Sequence, residues 1–199
     1  INRLMVMNKS ELLSLKVHKG VGLKNLIDIS ELEKLVNLRP FCKYGRWLPT
    51  KDDEKFTWSN SYWSTEENSA PISIIEHTLT KGSNYFVDCS KVNERINNTC
   101  AFLEDVFKSP VDCHIFFSRN KQGSFDLHKD DRHNVIVGCV GKLELTIEDK
   151  RYILDNGDYV FIPRNTYHKV MPLTDKRISC SFPISSEQGN FEERKWFKL

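Results

Sequence analysis

His128-Lys129-Asp130 and the later run Gly157-Asp158-Tyr159-Val160-Phe161-Ile162-Pro163-Arg164-Asn165-Thr166-Tyr167-His168 decide how this chain is read. In an extended strand, residues i and i+2 share a face. His128 and Asp130 therefore point together into one cavity, and Lys129 points away. A third ligand has to arrive from another strand, and His168 stands where one should be. Two imidazoles and one carboxylate form the 2-His-1-carboxylate facial triad, which holds a non-haem Fe(II) and leaves positions open for substrate and oxygen. His128, Asp130 and His168 are accordingly the candidate metal ligands and catalytic centre.

The surroundings of these two stretches are short strands separated by turn signals. His114 to Ser118 reads as a strand, Asn120 to Ser124 as a loop, and Phe125 to Asp131 as the strand carrying the H-x-D. Asn134 to Val140 is apolar up to Gly141. Lys142 to Glu148 and Arg151 to Leu154 alternate around an Asp149-Lys150 turn. Tyr159 to Pro163, Tyr167 to Met171 and Arg177 to Pro183 complete the set. At least seven short strands with no helices between them predict a mainly β barrel or sandwich over 111–185.

Upstream, the chain reads as a mainly helical and irregular extension over 1–110, with a few strands, packed on the barrel. A tail covers 186–199, and the whole forms one structural domain. Ser30-Glu31-Leu32-Glu33 has the form of a capping box, opening a helix with Leu32, Leu35 and Val36 on one face. Residues 41–70 are rich in aromatics without a period, and Trp58, Tyr62 and Trp63 suit either ordinary packing or a substrate wall. Ile72 to His77 and Tyr85 to Val87 look like strands. Ser90 opens a second helix with a stripe of Val92, Ile96, Cys100, Leu103, Val106 and Phe107, ended by Pro110.

Composition narrows the function classes. The 199 residues suffice for one well-buried core, and 29 basic against 27 acidic side chains give a net charge of +2. That balance indicates neither a nucleic-acid groove nor a membrane surface. The six cysteines at 42, 89, 100, 113, 139 and 180 lack C-x-x-C pairs and read as reduced core residues, which predicts a cytoplasmic protein. His18, His77 and His114 are read as ordinary core or surface histidines, and His133, of opposite parity to His128 and Asp130, as facing away from the site.

Residues 123–141 and 157–168 resemble the two motifs of the cupin superfamily, whose fold is a double-stranded β-helix. Gly123, His128, Asp130, Asn134 and Gly141 fall on the first motif, and Gly157, Pro163 and His168 on the second. Asp130 replaces a histidine and Asn134 a glutamate, which turns a four-ligand site into the triad of Fe(II)- and 2-oxoglutarate-dependent oxygenases. Within that group the chain looks most like the JmjC-type hydroxylases, including the ribosomal-protein hydroxylase branch. The shared order is Leu103-Glu104-Asp105-Val106-Phe107, His114–Ser118, Gly123-Ser124, Phe125–Asp130 and Val135–Lys142. The resemblance implies Fe(II), 2-oxoglutarate as cosubstrate, and oxidation of a C–H bond by hydroxylation or demethylation of an unknown small molecule or peptide.

The distal carboxylate of 2-oxoglutarate needs a cation and hydroxyls. Lys142 stands near the position used by JmjC-type enzymes, one residue early, and is favoured on family position. Arg177 with Ser179 resembles the Arg-x-Ser pair of other 2-oxoglutarate oxygenases. Asn134 is expected to hydrogen-bond the cosubstrate or a water. Two other classes stay open: a metal-cupin enzyme that does not use 2-oxoglutarate, and a non-catalytic cupin that binds a ligand. Oligomeric state is open, a homodimer included.

Overall fold

The computed structural model describes residues 12–14, 16–19, 23–37, 46–50, 83–87, 89–121, 123 and 125–185. In chain order these form β1 (His18–Lys19), α1 (Ile29–Asn37), β2 (Arg46–Thr50), β3 (Ser83–Val87), α2 (Glu94–Phe107), β4 (His114–Ser118) and β5 (His133–Val140). Then follow β6 (Leu143–Ile147), β7 (Lys150–Leu154), β8 (Asp158–Ile162), β9 (His168–Pro172) and β10 (Arg177–Ile184). The strands make a seven-stranded sheet, β1-β8-β5-β10-β4-β3-β2, and a three-stranded sheet, β7-β6-β9. Every pairing is antiparallel. The architecture is mainly β, as the strand count predicts. No helix among the described residues is long and apolar enough to cross a membrane.

Two cores explain the sequence patterns. Val135, Val137 and Cys139 of β5, Ile178, Cys180 and Phe182 of β10, and Ile115 and Phe117 of β4 pack outward. They meet Leu23, Leu26, Ile27 and Leu32, and Ile96, Cys100 and Leu103 of α2. On the inner side, Ile136, Leu143, Leu145, Ile147, Leu154, Val160 and Ile162 fill one end of the space between the sheets. Strands β5 and β8 are thus covered on both faces, and both read as continuous apolar runs. Strand β6 is covered on one face only and alternates buried with half-buried residues. Cys89, Cys100, Cys113, Cys139 and Cys180 are buried free thiols. Burial pushes the Cys113 thiol well above its ordinary range. Cys42, His77, Trp58, Tyr62 and Trp63 lie outside the described residues.

Both helices start elsewhere than their serines suggest. At α1, Glu31 N donates to Asp28 Oδ1 (2.8 Å) and Asp28 N donates to Glu31 Oε2 (3.1 Å). The capping box is therefore Asp28-x-x-Glu31, and Ser30 sits inside the first turn. At α2 the cap is Asn93, whose Oδ1 accepts from Ile96 N at 2.9 Å while its Nδ2 donates to Leu26 O. Such a cap contributes about 1 kcal/mol, and this one also ties the helix to the preceding core segment. The helix stops at Lys108, in the left-handed region at φ 53°, before Pro110 is reached. The turn between β6 and β7 falls on Glu148-Asp149, one residue earlier than expected.

Gly138 marks where the turn after β7 closes on β5. Gly157 N donates to Gly138 O (2.8 Å), and a Cβ at position 138 would stand 2.5 Å from the Asp155 carbonyl oxygen. Gly138→Ala is expected to push that turn away and to destabilise the chain by about 1–3 kcal/mol. An unchanged urea midpoint would show that the turn does not lie this close.

Candidate metal centre

The H-x-D segment is not a ladder strand, contrary to the sequence expectation. It is joined to the small sheet by one bridge, His128 with His168. His168 N donates to His128 O at 2.8 Å, and His128 N to His168 O at 3.1 Å. Because residues in such a pair stand directly opposite each other, the two imidazoles are neighbours, with ring centroids 4.4 Å apart. Each ring is oriented the same way. Nδ1 of His128 lies 2.8 Å from Asp126 O, and Nδ1 of His168 lies 3.1 Å from Thr166 O. A carbonyl there accepts a hydrogen bond from Nδ1–H, which leaves the Nε2 lone pair for a metal.

Asp130 completes the set. Its oxygens lie 3.9 Å from His128 Nε2 and 3.6 Å from His168 Nε2. Its carbonyl accepts from Asn165 N at 2.6 Å, which pins this segment to the turn that leads into His168. The three ligand atoms lie within 4.8 Å of one another. Two imidazole nitrogens, each ring held through its Nδ1, and one carboxylate fit a divalent transition ion.

His168 is buried, and burial, with His128 beside it, lowers its pKa below the ordinary 6.5; the Thr166 carbonyl and Asp130 oppose the shift without cancelling it. A depressed histidine pKa means that the unfolded chain binds more protons, so stability falls as pH drops below 6.5. His133, also depressed chiefly by burial, adds in the same direction. The metal-free chain is expected to lose melting temperature steadily from pH 7 towards pH 5, and His168→Phe to flatten that slope. Equal slopes for both chains would remove His168 from the account.

The ligands stand on one wall of a cavity of about 420 Å³ between the two sheets. The opposite wall is set by strand register. Ser179 pairs with Phe116 of β4, and Ser181 with His114 of β4 and Ile136 of β5. Pro183 pairs with Asn134. Arg177, Ser179 and Ser181 alternate with Ile178, Cys180 and Phe182, so the polar face turns inward as the pattern predicts. Arg177 is 1 % exposed, and its Nη1 donates to Ser179 Oγ at 2.9 Å. Burial brings its pKa down to about 10, and it stays protonated at neutral pH. Ser181 Oγ donates to Asn134 Oδ1 at 2.7 Å, which leaves the Asn134 amide N–H groups to serve the cavity.

Lys142 is the correction in this site. It is exposed, its Nζ lies 3.3 Å from Asp155 Oδ2, and it does not line the cavity. The reason is the parity of β6: the inward positions are Leu143, Leu145 and Ile147, so the preceding residue faces out. The structure thus brings His128, Asp130, His168, Asn134, Arg177 and Ser179 together and leaves Lys142 apart. His133 is indeed turned from the cavity and stacks on Phe161. His18 stacks on Tyr159. His114, read as an ordinary histidine, instead lines the cavity, as do Phe116, Phe125 and Arg132. Only cross-strand register could have shown this.

Residues 116–180 match the cupin domain family. That stretch carries His128, Asp130 and His168. The overall fold of the chain is similar to that of YcfD, a ribosomal oxygenase from Escherichia coli, with a TM-score of 0.65 and 15% sequence identity. That likeness covers 92% of this chain and 52% of the other. A second structure of YcfD, in complex with cobalt and succinic acid, gives a TM-score of 0.61 at 17% identity, covering 92% of this chain and 53% of its own. Fifty-five residues of this chain are 44% identical to quercetin 2,3-dioxygenase of Bacillus subtilis (strain 168), which is 27% of this chain and 16% of that protein. The chain therefore spans about half the length of the ribosomal oxygenase and a small part of the quercetin dioxygenase. The chain thus shares its fold with the ribosomal oxygenase.

Proposed function

We propose that this chain is an Fe(II)- and 2-oxoglutarate-dependent oxygenase that oxidises a C–H bond of a second substrate. One observation carries the reading: a three-donor metal set and a buried guanidinium share a single cavity. His128, Asp130 and His168 would hold the ion, and a set of three protein donors leaves positions for a chelating 2-oxo acid and for oxygen. Arg177 and Ser179 take the far carboxylate. A guanidinium offers a planar fork to it, and exclusion from water strengthens the contact. Asn134, fixed by Ser181, offers N–H donors to the cosubstrate or to an ordered water. Phe116, whose ring centroid lies 6.0 Å from the Arg177 guanidinium carbon, closes the side of the deep end. When bound, the iron supplies the oxidative decarboxylation of 2-oxoglutarate that is coupled to C–H oxidation. The ribosomal oxygenase binds cobalt with succinic acid, a metal and a dicarboxylate, which are the two ligand types this cavity suits.

The stretch similar to quercetin 2,3-dioxygenase favours a second reading, a metal cupin that works without 2-oxoglutarate. Anaerobic titration of the metal-stripped chain with Fe(II) and then 2-oxoglutarate separates the two. A weak visible charge-transfer band that appears on adding the oxo acid is the expected result. Iron binding without the band would retire 2-oxoglutarate and favour the second reading. No iron binding would leave a ligand-binding cupin.

A further inference from the structure

Besides the metal ligands and the Arg177–Ser179 pair, the cavity has a second polar station that neither role uses. Along β10 the inward residues run from Arg177 to Pro183, a span of about 20 Å at the usual rise of a strand. Arg177, beside the far end of β4, is 1 % exposed, whereas the side chain of His114, the first residue of β4 and the partner of Ser181, is 23 % exposed. His114 is therefore at the mouth. Asp112 Oδ2 lies 3.4 Å from its Nε2, and Asp112 N donates to Pro183 O (3.3 Å), so the ring is held from behind by a residue anchored to β10. Arg132 lines the same cavity, as does Asp131. The contact between the two is 3.9 Å long, to a carboxylate 92 % exposed, and such a pair is worth little in water. Between the two stations the aromatic rings supply apolar surface beside the hydroxyls of Ser179 and Ser181. Phe116 and Phe125 meet edge to face at 6.0 Å, with Ile136 alongside.

We propose that His114 and Arg132 hold the substrate that is oxidised, and that it is a small carboxylic acid with an apolar body. Its carboxylate takes the mouth station and its hydrocarbon part lies on Phe116 and Phe125, beside the metal ligands. A basic substrate would meet Arg132 as a like charge, and a neutral amide would forgo the charge-assisted hydrogen bond. The inference rests on the oxygenase reading for the word "oxidised", but the station itself is tested without iron.

The test is calorimetric titration of the full chain, free of metal and oxo acid, with 3-phenylpropionate, 3-phenylpropionamide and 3-phenylpropylamine at low ionic strength. An Arg177→Met background removes the deep anion station. In that background the acid is expected to bind at least about tenfold more tightly than the amide and the amine, one charge-assisted contact. Arg132→Ala, at an exposed position that does not threaten folding, should erase most of the acid preference and leave amide binding unchanged. His114→Gln should weaken the acid as well. The proposal is overturned if amide or amine binds as tightly as the acid, if no acid binding is seen, or if the preference survives Arg132→Ala but is absent from the Arg177→Met background. Failure of the iron titration would sink the oxygenase reading and leave this result readable.

Discussion

Replacing His128 with alanine is expected to lower the affinity for Fe(II) by at least about 100-fold, more than the loss of an outer-shell partner usually costs. The chain should still fold. The His128 side chain is 36 % exposed and sits on a segment held by backbone bonds, to His168 through its own residue and to Asn165 through Asp130. Thermal melting reads both outcomes. A ligand that binds only the folded chain stabilises it by about 2.7 kcal/mol at 100 times its dissociation constant. Wild type should therefore gain melting temperature on adding the metal, and His128→Ala should gain none while melting normally in its absence. A full metal-dependent gain in the variant would mean that the ion binds elsewhere.

Arg177→Met should move stability and binding in opposite directions. The guanidinium is fully desolvated in the folded chain, which its depressed pKa reports. Replacing a buried charge by an apolar side chain of similar reach is commonly neutral or stabilising, here by about 1 kcal/mol or more. The same change removes the fork for the far carboxylate, and 2-oxoglutarate affinity should fall by roughly 100-fold, two charge-assisted bonds at about 1.4 kcal/mol each. Fe(II) binding should be unaffected. A variant that melts lower and still binds 2-oxoglutarate normally would remove Arg177 from the cosubstrate site and make it a structural residue.

The sequence made the mainly β class legible because alternation and turn residues are local signals. His114–Ser118 was located to the residue, and β7 and β10 to within one at either end. The triad was legible as residue types at known positions, although the H-x-D segment forms one bridge where a strand was expected. What stayed hidden was non-local. Lys142 was favoured over Arg177 on family position, and what reversed the order was which side of β6 and β10 each residue occupies in the barrel. His114 is unremarkable in sequence and becomes a cavity residue because β4 pairs with β10 in the register that sets it beside Ser181. The caps misled for a different reason. Serine, aspartate and asparagine all suit the position, and the choice among them depends on tertiary contacts such as Asn93 to Leu26.

The mutual bond between His128 and His168 makes the metal site a clasp. Among the described residues, one bridge is the backbone link between the H-x-D segment and the small sheet, and the same two residues would bond to the ion through their side chains. Backbone opening and metal release at this point are thus one event seen from two ends. Amide hydrogens at 128 and 168 should exchange quickly in the metal-free chain and slow by the factor that binding contributes. The segment that carries the chemistry would then be the part of the barrel whose order reports the metal supply.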